Sequence, residues 1–229
     1  LNELLHYSLF YEVLFPDIEG LAAENDSQEF ALSKVIRFKP KIDLDLRRDS
    51  IVVFDFETTG LDARDDRIIE IGAVRLVNME PVAEFSTLIN PEMELPEIVR
   101  SITGITEKML EGQPTIGEKF TEFLTFLEGS VLIAHNAEFD MGFLTAAAAR
   151  LGYQIDWPCL CTLKFARTLL NHLESKSLDA LAAHYQLSFE ARHRSIGDVK
   201  VTSSVLKNML DHEGKHLQVW QDFQPFTVN

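Results

Sequence analysis

The run IVVFDFE at positions 51–57 constrains the fold more than any other segment. Its β-branched and aromatic residues predict a strand, and side chains alternate across a strand. Asp55 and Glu57 therefore project from one face, and Phe54 and Phe56 from the other. The phenylalanines enter an apolar core; the two anions are left together near the strand's C-terminal end. A turn-prone TTG follows, then RIIEIGAVRL and VAEFSTLI, which predict two more strands and hence an antiparallel meander.

Beyond Pro91 the pattern becomes helical. IGEKFTEFLTFLEG places Phe120, Phe123, Leu124 and Leu127 on one face and stops at Gly129. VLIAH reads as a short buried strand. Helical patterns recur in FDMGFLTAAAARLG, TLKFARTLLNHL, SLDALAAHYQL and DVKVTSSVLKNML, punctuated by Gly152, Pro158 and the loop ARHRSIG. Strands first, then helices alternating with strands, predict an α/β fold: a mixed sheet covered by helices.

A length of 229 residues suits one such domain plus an appendage. With 46% hydrophobic and 25% charged residues, wholesale disorder is excluded, and no uninterrupted apolar run is long enough for a membrane span. The 36 acidic residues against 21 Lys and Arg give a net charge of -15. Gripping a polyanion through counterion release alone is thereby disfavoured, so contact with nucleic acid must be local or metal-assisted. Cys159 and Cys161 are too close in sequence for an unstrained disulfide and read as reduced core thiols, which fits a cytoplasmic setting.

Residues 1–33 hold seven acidic residues and no Lys or Arg. They read as helical, with a capping box at Asp26 and Glu29 leading into Leu32, Val35 and Ile36. The basic stretch from Lys34 to Arg48 reads as a solvated linker. The expected division is an N-terminal extension over 1–48, the main domain over 49–212 and a packed tail over 213–229.

The acids carry the chemistry. Asp55 and Glu57 repel each other and suit a hard cation such as Mg²⁺ or Mn²⁺, unless they are surface acids at a sheet edge. Asp140 ends HNAEFD, just beyond the buried strand, where a ligand site or a helix cap would stand. Asp198 opens the last long helix and has the same two readings. His193 lies five residues earlier, roughly 140° away on a continuous helix, so the pair converges only if the loop HRSIG holds His193 ahead of that helix. There an imidazole can accept a proton from water; otherwise it is an exposed loop histidine.

Taken in order, FDFETTGL, NPEMELPEIVRSITGIT, IAHNAEFD, LDALAAHY and HRSIGD resemble the DEDDh 3′-to-5′ exonucleases of the DnaQ-like proofreading superfamily, over roughly residues 50 to 212. A sister class carries tyrosine four residues before the last Asp, where this chain has Arg194. The resemblance implies a ribonuclease H-like domain with a five-stranded mixed sheet and helices on both faces. It implies two divalent ions, Mg²⁺ or Mn²⁺: Asp55 bridging both, Glu57 and Asp198 helping to hold one, Asp140 holding the other partly through water, and His193 as general base. It also implies that Thr58 and Leu61 meet the terminal nucleotide while His135 and Asn136 shape the strand's path. From the residues alone, Thr58 could equally be turn chemistry, Leu61 a buried apolar residue and His135 a core histidine. Phe139 and Phe143 read as core.

The activity expected is release of nucleoside 5′-monophosphates from the 3′ end of single-stranded DNA or RNA. The alternatives are an exoribonuclease of the oligoribonuclease or RNase T type, and a proofreading or scaffold subunit that docks a DNA polymerase. DNA against RNA, Mg²⁺ against Mn²⁺ and oligomeric state are left open by these residues.

Overall fold

The computed structural model describes residues 34–228. The acidic segment with its expected capping box lies outside the described residues. Where the helix was expected to run on through Val35 and Ile36, the chain instead forms strand β1 (Lys34–Arg37). The meander follows as β2 (Ile51–Thr58), β3 (Ile68–Val77) and β4 (Glu80–Leu88), each pair antiparallel.

Two short helices, α1 (Glu97–Thr103) and α2 (Glu107–Leu110), lead to α3 (Ile116–Leu127). α3 opens on a capping box in which Glu118 accepts from the Thr115 N–H at 2.7 Å. Then come β5 (Val131–Ala134), α4 (Ala137–Arg150), β6 (Tyr153–Asp156) and β7 (Cys159–Cys161). The chain closes with α5 (Thr162–Leu169), α6 (Leu178–His184), α7 (Ser195–His212), α8 (Trp220–Phe223) and β8 (Thr227–Val228).

The main sheet runs β4-β3-β2-β5-β7-β8, with β5 and β7 parallel to β2. It is the expected mixed sheet with a sixth strand, because the tail contributes β8 against β7. β5 and β7 are buried along their whole length, which explains their apolar sequences.

The faces of β2 separate as the alternation predicts. Phe54 and Phe56 pack with each other and with Phe123 of α3, which also meets Phe85, at ring separations of 5.3 to 6.4 Å. α7 lies across β2 and β3 on the other face, and its first turn meets Gly72, the cross-strand partner of Asp55.

Residues 34–48 are not a free linker. β1 pairs in parallel with β6, Phe38 stacks on Trp157 at 5.2 Å, and Leu46 is fully buried. Arg47 donates to the carbonyls of Leu210, Gly214 and Leu217 at 2.6 to 3.0 Å, satisfying one in the last turn of α7 and two in the segment just beyond it. The charges that suggested solvation are used as anchors. The tail is packed as expected: Leu217, Trp220 and Phe223 are buried. Among the described residues, no helix is long and apolar enough to cross a membrane.

Candidate active site

Two glycines let the elements carrying the acids meet. A β-carbon on Gly72 would lie 2.5 Å from the backbone at Ser195 and Ile196, so only a bare position on β3 lets the first turn of α7 rest on the sheet beside Asp55. A β-carbon on Gly197 would lie 2.0 Å from the Ala191 carbonyl oxygen, so the preceding loop can fold tightly over that turn. Gly197 belongs to the helix itself and not to the loop, as the sequence had suggested: α7 starts at Ser195, and Asp198 is its fourth residue.

Asp55, Glu57 and Asp198 are thereby brought together, each offering a carboxylate oxygen within 4.8 Å of the others. Asp198 is 5% exposed; its Oδ2 pairs with Arg192, while its Oδ1 is buried with no hydrogen-bond partner. A buried oxygen without a donor is costly unless something positive meets it. Asp140 stands beside this trio. It is buried in the first turn of α4, not at the cap, and its Oδ1 accepts from the Phe56 N–H at 3.1 Å. The cap is Asn136, whose φ of 60° turns the chain sharply from β5 into α4.

Burial and mutual repulsion disfavour the ionised forms of these acids. Burial, and then the charges of Asp140, Glu57 and Asp198, raise Asp55 well above the ordinary carboxylate range. Burial, helped by Asp198 and Glu70, raises Glu57 to about 8. Burial raises Asp140 to about 7 against the Phe56 hydrogen bond, and Asp198 is raised by burial against Arg192. Glu57 and Asp140 therefore hold protons near neutrality unless cations replace them. All the donors are hard oxygens, and one of them lacks a partner, so the set fits a hard divalent cation.

His193 sits in the loop before α7, with φ of 58°, and its Nδ1 lies 3.3 Å from Arg192 Nη1. A guanidinium only donates, so this contact makes Nδ1 the acceptor. His135 is half-buried: its Nδ1 meets Thr162 Oγ1 at 2.9 Å, and burial lowers it to about 4. It nonetheless borders a groove that runs from Asp55 past Asn136 and Arg192 to Arg167 and Lys176. Thr58 Oγ1 donates to the Gly60 carbonyl at 2.6 Å, which is turn chemistry. Leu61 is 87% exposed, so it is not a buried residue, and its loop is tied by Asp66, which accepts from Thr59 Oγ1 and from the Asp62 N–H, each at 2.9 Å. Phe139 and Phe143 pack against each other in the core.

Sequence reasoning missed Glu70, Arg192 and Arg194. Glu70, opposite Glu57 on the neighbouring strand, is 1% exposed and paired with Arg194. That pairing offsets part of the repulsion between two like charges directly across a ladder; the rest still acts on Glu57. The signal was present: a lone carboxylate inside the apolar run IIEIGAV.

Comparison with known proteins places this arrangement in a class. Residues 52–206 match the family model RNase_T, described as exonuclease, and the chain belongs to that family. It is an exonuclease domain, and hence a hydrolase. The chain is 42% identical over 159 residues to a DNA polymerase III PolC-type protein of Clostridium perfringens, covering 69% of this chain and 11% of that protein. It is 36% identical over 214 residues to a Mycobacterium tuberculosis protein provisionally named a bifunctional exonuclease/endonuclease, covering 87% of this chain and 33% of that protein. The chain thus spans only a small part of these relatives. Among solved structures, Exonuclease X in complex with 5′ overhanging duplex DNA is 26% identical with a TM-score of 0.58, over 72% of this chain and 93% of that one. Escherichia coli Exonuclease I with a dA16 oligonucleotide shares the fold at 15% identity and a TM-score of 0.65, over 73% of this chain and 42% of that one.

Proposed function

We propose that this domain removes nucleoside 5′-monophosphates from the 3′ end of single-stranded DNA, using two divalent ions and His193 as general base. The observation that carries this reading is the convergence of Asp55 and Glu57, both half-buried, on the buried Asp198, one of whose carboxylate oxygens is left unpartnered. DNA is favoured over RNA because the PolC-type relatives are DNA polymerases by name and Exonuclease X was solved on DNA.

Glu57 and Asp198 would hold one ion, Asp140 the second, and Asp55 both. Bound there, Mg²⁺ or Mn²⁺ would supply positive charge to the scissile phosphate and lower the pKa of the attacking water. The protein's own groups do the rest. The Phe56 N–H fixes Asp140. His193 takes the proton from the water once its Nδ1 lone pair is released from Arg192 Nη1, while Nε and Nη2 keep the guanidinium anchored on Asp179. Thr58, at the end of β2, and Leu61, in the loop beyond it, meet the terminal nucleotide; the tied loop presents the exposed Leu61 side chain as a wedge against its base. Asn136 and His135 guide the strand along the groove. The net charge of -15 is thus answered locally, by cations at the acids and by Arg167, Lys176 and Arg192 along the groove.

Digestion of end-labelled single-stranded DNA and matched RNA, with Mg²⁺, Mn²⁺ or chelator, tests the reading. A ladder shortening from the 3′ end of DNA, abolished by chelator, is expected. Activity that persists in chelator refutes the metal assignment, and faster cleavage of RNA refutes the substrate.

A further inference from the structure

His193 holds a left-handed backbone conformation, which a residue with a β-carbon keeps only where its surroundings impose it. Its two neighbours supply the constraint from opposite sides. Arg192 forks onto Asp179, with Nε to Oδ1 at 2.9 Å and Nη2 to Oδ2 at 2.8 Å. Arg194 forks onto Glu70, with Nε to Oε1 at 3.0 Å and to Oε2 at 3.2 Å, and Nη2 to Oε1 at 2.5 Å. Glu70 Oε2 also accepts from the Ser195 N–H at 2.9 Å, at the first residue of α7.

The anchors are unequal. On the Arg192 side, Asp179 is 60% exposed, and an exposed ion pair constrains little; the other hold on Arg192 is Asp198, itself a member of the acid cluster. Glu70 is 1% exposed, lies on a strand in the interior of the sheet, and has both oxygens committed to the two residues after His193. It is not one of the three carboxylates close enough to share a cation. A fully buried carboxylate tied only to this loop and helix start has a geometric consequence for the loop.

We propose that Glu70 is a positioning residue for the general base: by fixing Arg194 and Ser195 it holds the His193 ring beside Asp198. The proposal rests on the reading of His193 as base, and a double-mutant cycle separates the two. Glu70→Gln should lower the single-turnover rate on single-stranded DNA roughly tenfold to a hundredfold, the scale of a misplaced catalytic group, with little change in KM. In a His193→Ala background the same substitution should change the rate by less than about twofold, since there is no ring left to misplace. An equal loss in both backgrounds overturns the proposal while leaving the base reading intact. A His193→Ala variant as fast as wild type overturns both.

If Glu70→Gln does not fold, Arg194→Gln carries the same cycle. A readout independent of turnover is the ¹⁵N spectrum of the imidazoles in the metal-free protein. The His193 resonances should shift or broaden in Glu70→Gln, with those of His172 unchanged. Unaltered His193 resonances contradict the assignment.

Discussion

The two faces of β2 use alternate residues of one strand to opposite ends. On one, Phe54 and Phe56 join Phe85 and Phe123 in a core complete in itself. On the other, Asp55 and Glu57 meet Asp198 and Asp140 in a cluster that burial and mutual repulsion leave poorly stable as anions. The first face stabilises the fold; the second draws on that stability to keep charges where water would not hold them. One face should therefore answer to packing mutations and the other to cations and pH.

The largest effect tests that division directly. Asp55→Asn should cut cleavage by at least about a thousandfold while the metal-free melting temperature stays level or rises, because a buried like charge is lost. Phe123→Ala should instead cost about 3–5 kcal/mol of stability by denaturant unfolding, with or without metal. A large destabilisation by Asp55→Asn would erase the contrast.

Next in size is the pH response. The folded pKa values of Glu57 and Asp140, about 8 and about 7, lie above their ordinary values of 4.5 and 3.8. Between those limits the folded chain binds more protons than the unfolded chain, so this stability is present at low pH and lost as pH rises through 7 to 8. In chelator, the acid cluster should make Tm lower at pH 8.5 than at pH 6. Mn²⁺ should raise it most at the higher pH, and Asp55→Asn should blunt both responses.

Gly72→Ala should disturb the acid face alone, by pushing the first turn of α7 off the sheet. A loss of about 1–3 kcal/mol and a marked fall in rate are expected, measured by unfolding and by digestion. An active, fully stable variant would show that α7 needs no such close approach.

The smallest effect concerns His135, which burial holds near 4, below its ordinary 6.5. Its contribution has the opposite sign: present above pH 6.5 and lost as pH falls towards 4. His135→Gln should therefore lose less stability than wild type across that window in parallel melts.

Much of this was legible because period and residue type coincide. The alternation in IVVFDFE assigned both faces before any coordinates, and the acids of the later motifs fell at strand and helix starts. What escaped were relations between distant segments. The pairing of β1 with β6 leaves no local mark, and Arg47 reads as a solvated charge until the carbonyls of Leu210, Gly214 and Leu217 are placed around it. Gly72 within a strand signalled a close approach without saying to what. Glu70 was hidden by a strand pattern that it interrupts only once, and its partner Arg194 lies 124 residues away.

Calorimetric titration of the chain with Mn²⁺ in the presence of a nucleoside 5′-monophosphate addresses the acid face most directly. Two saturable ions per chain are predicted, with binding sharply weakened in Asp55→Asn and Asp198→Asn. Absence of saturable binding, or affinity undiminished in those variants, would contradict a cation-holding role for the acid cluster.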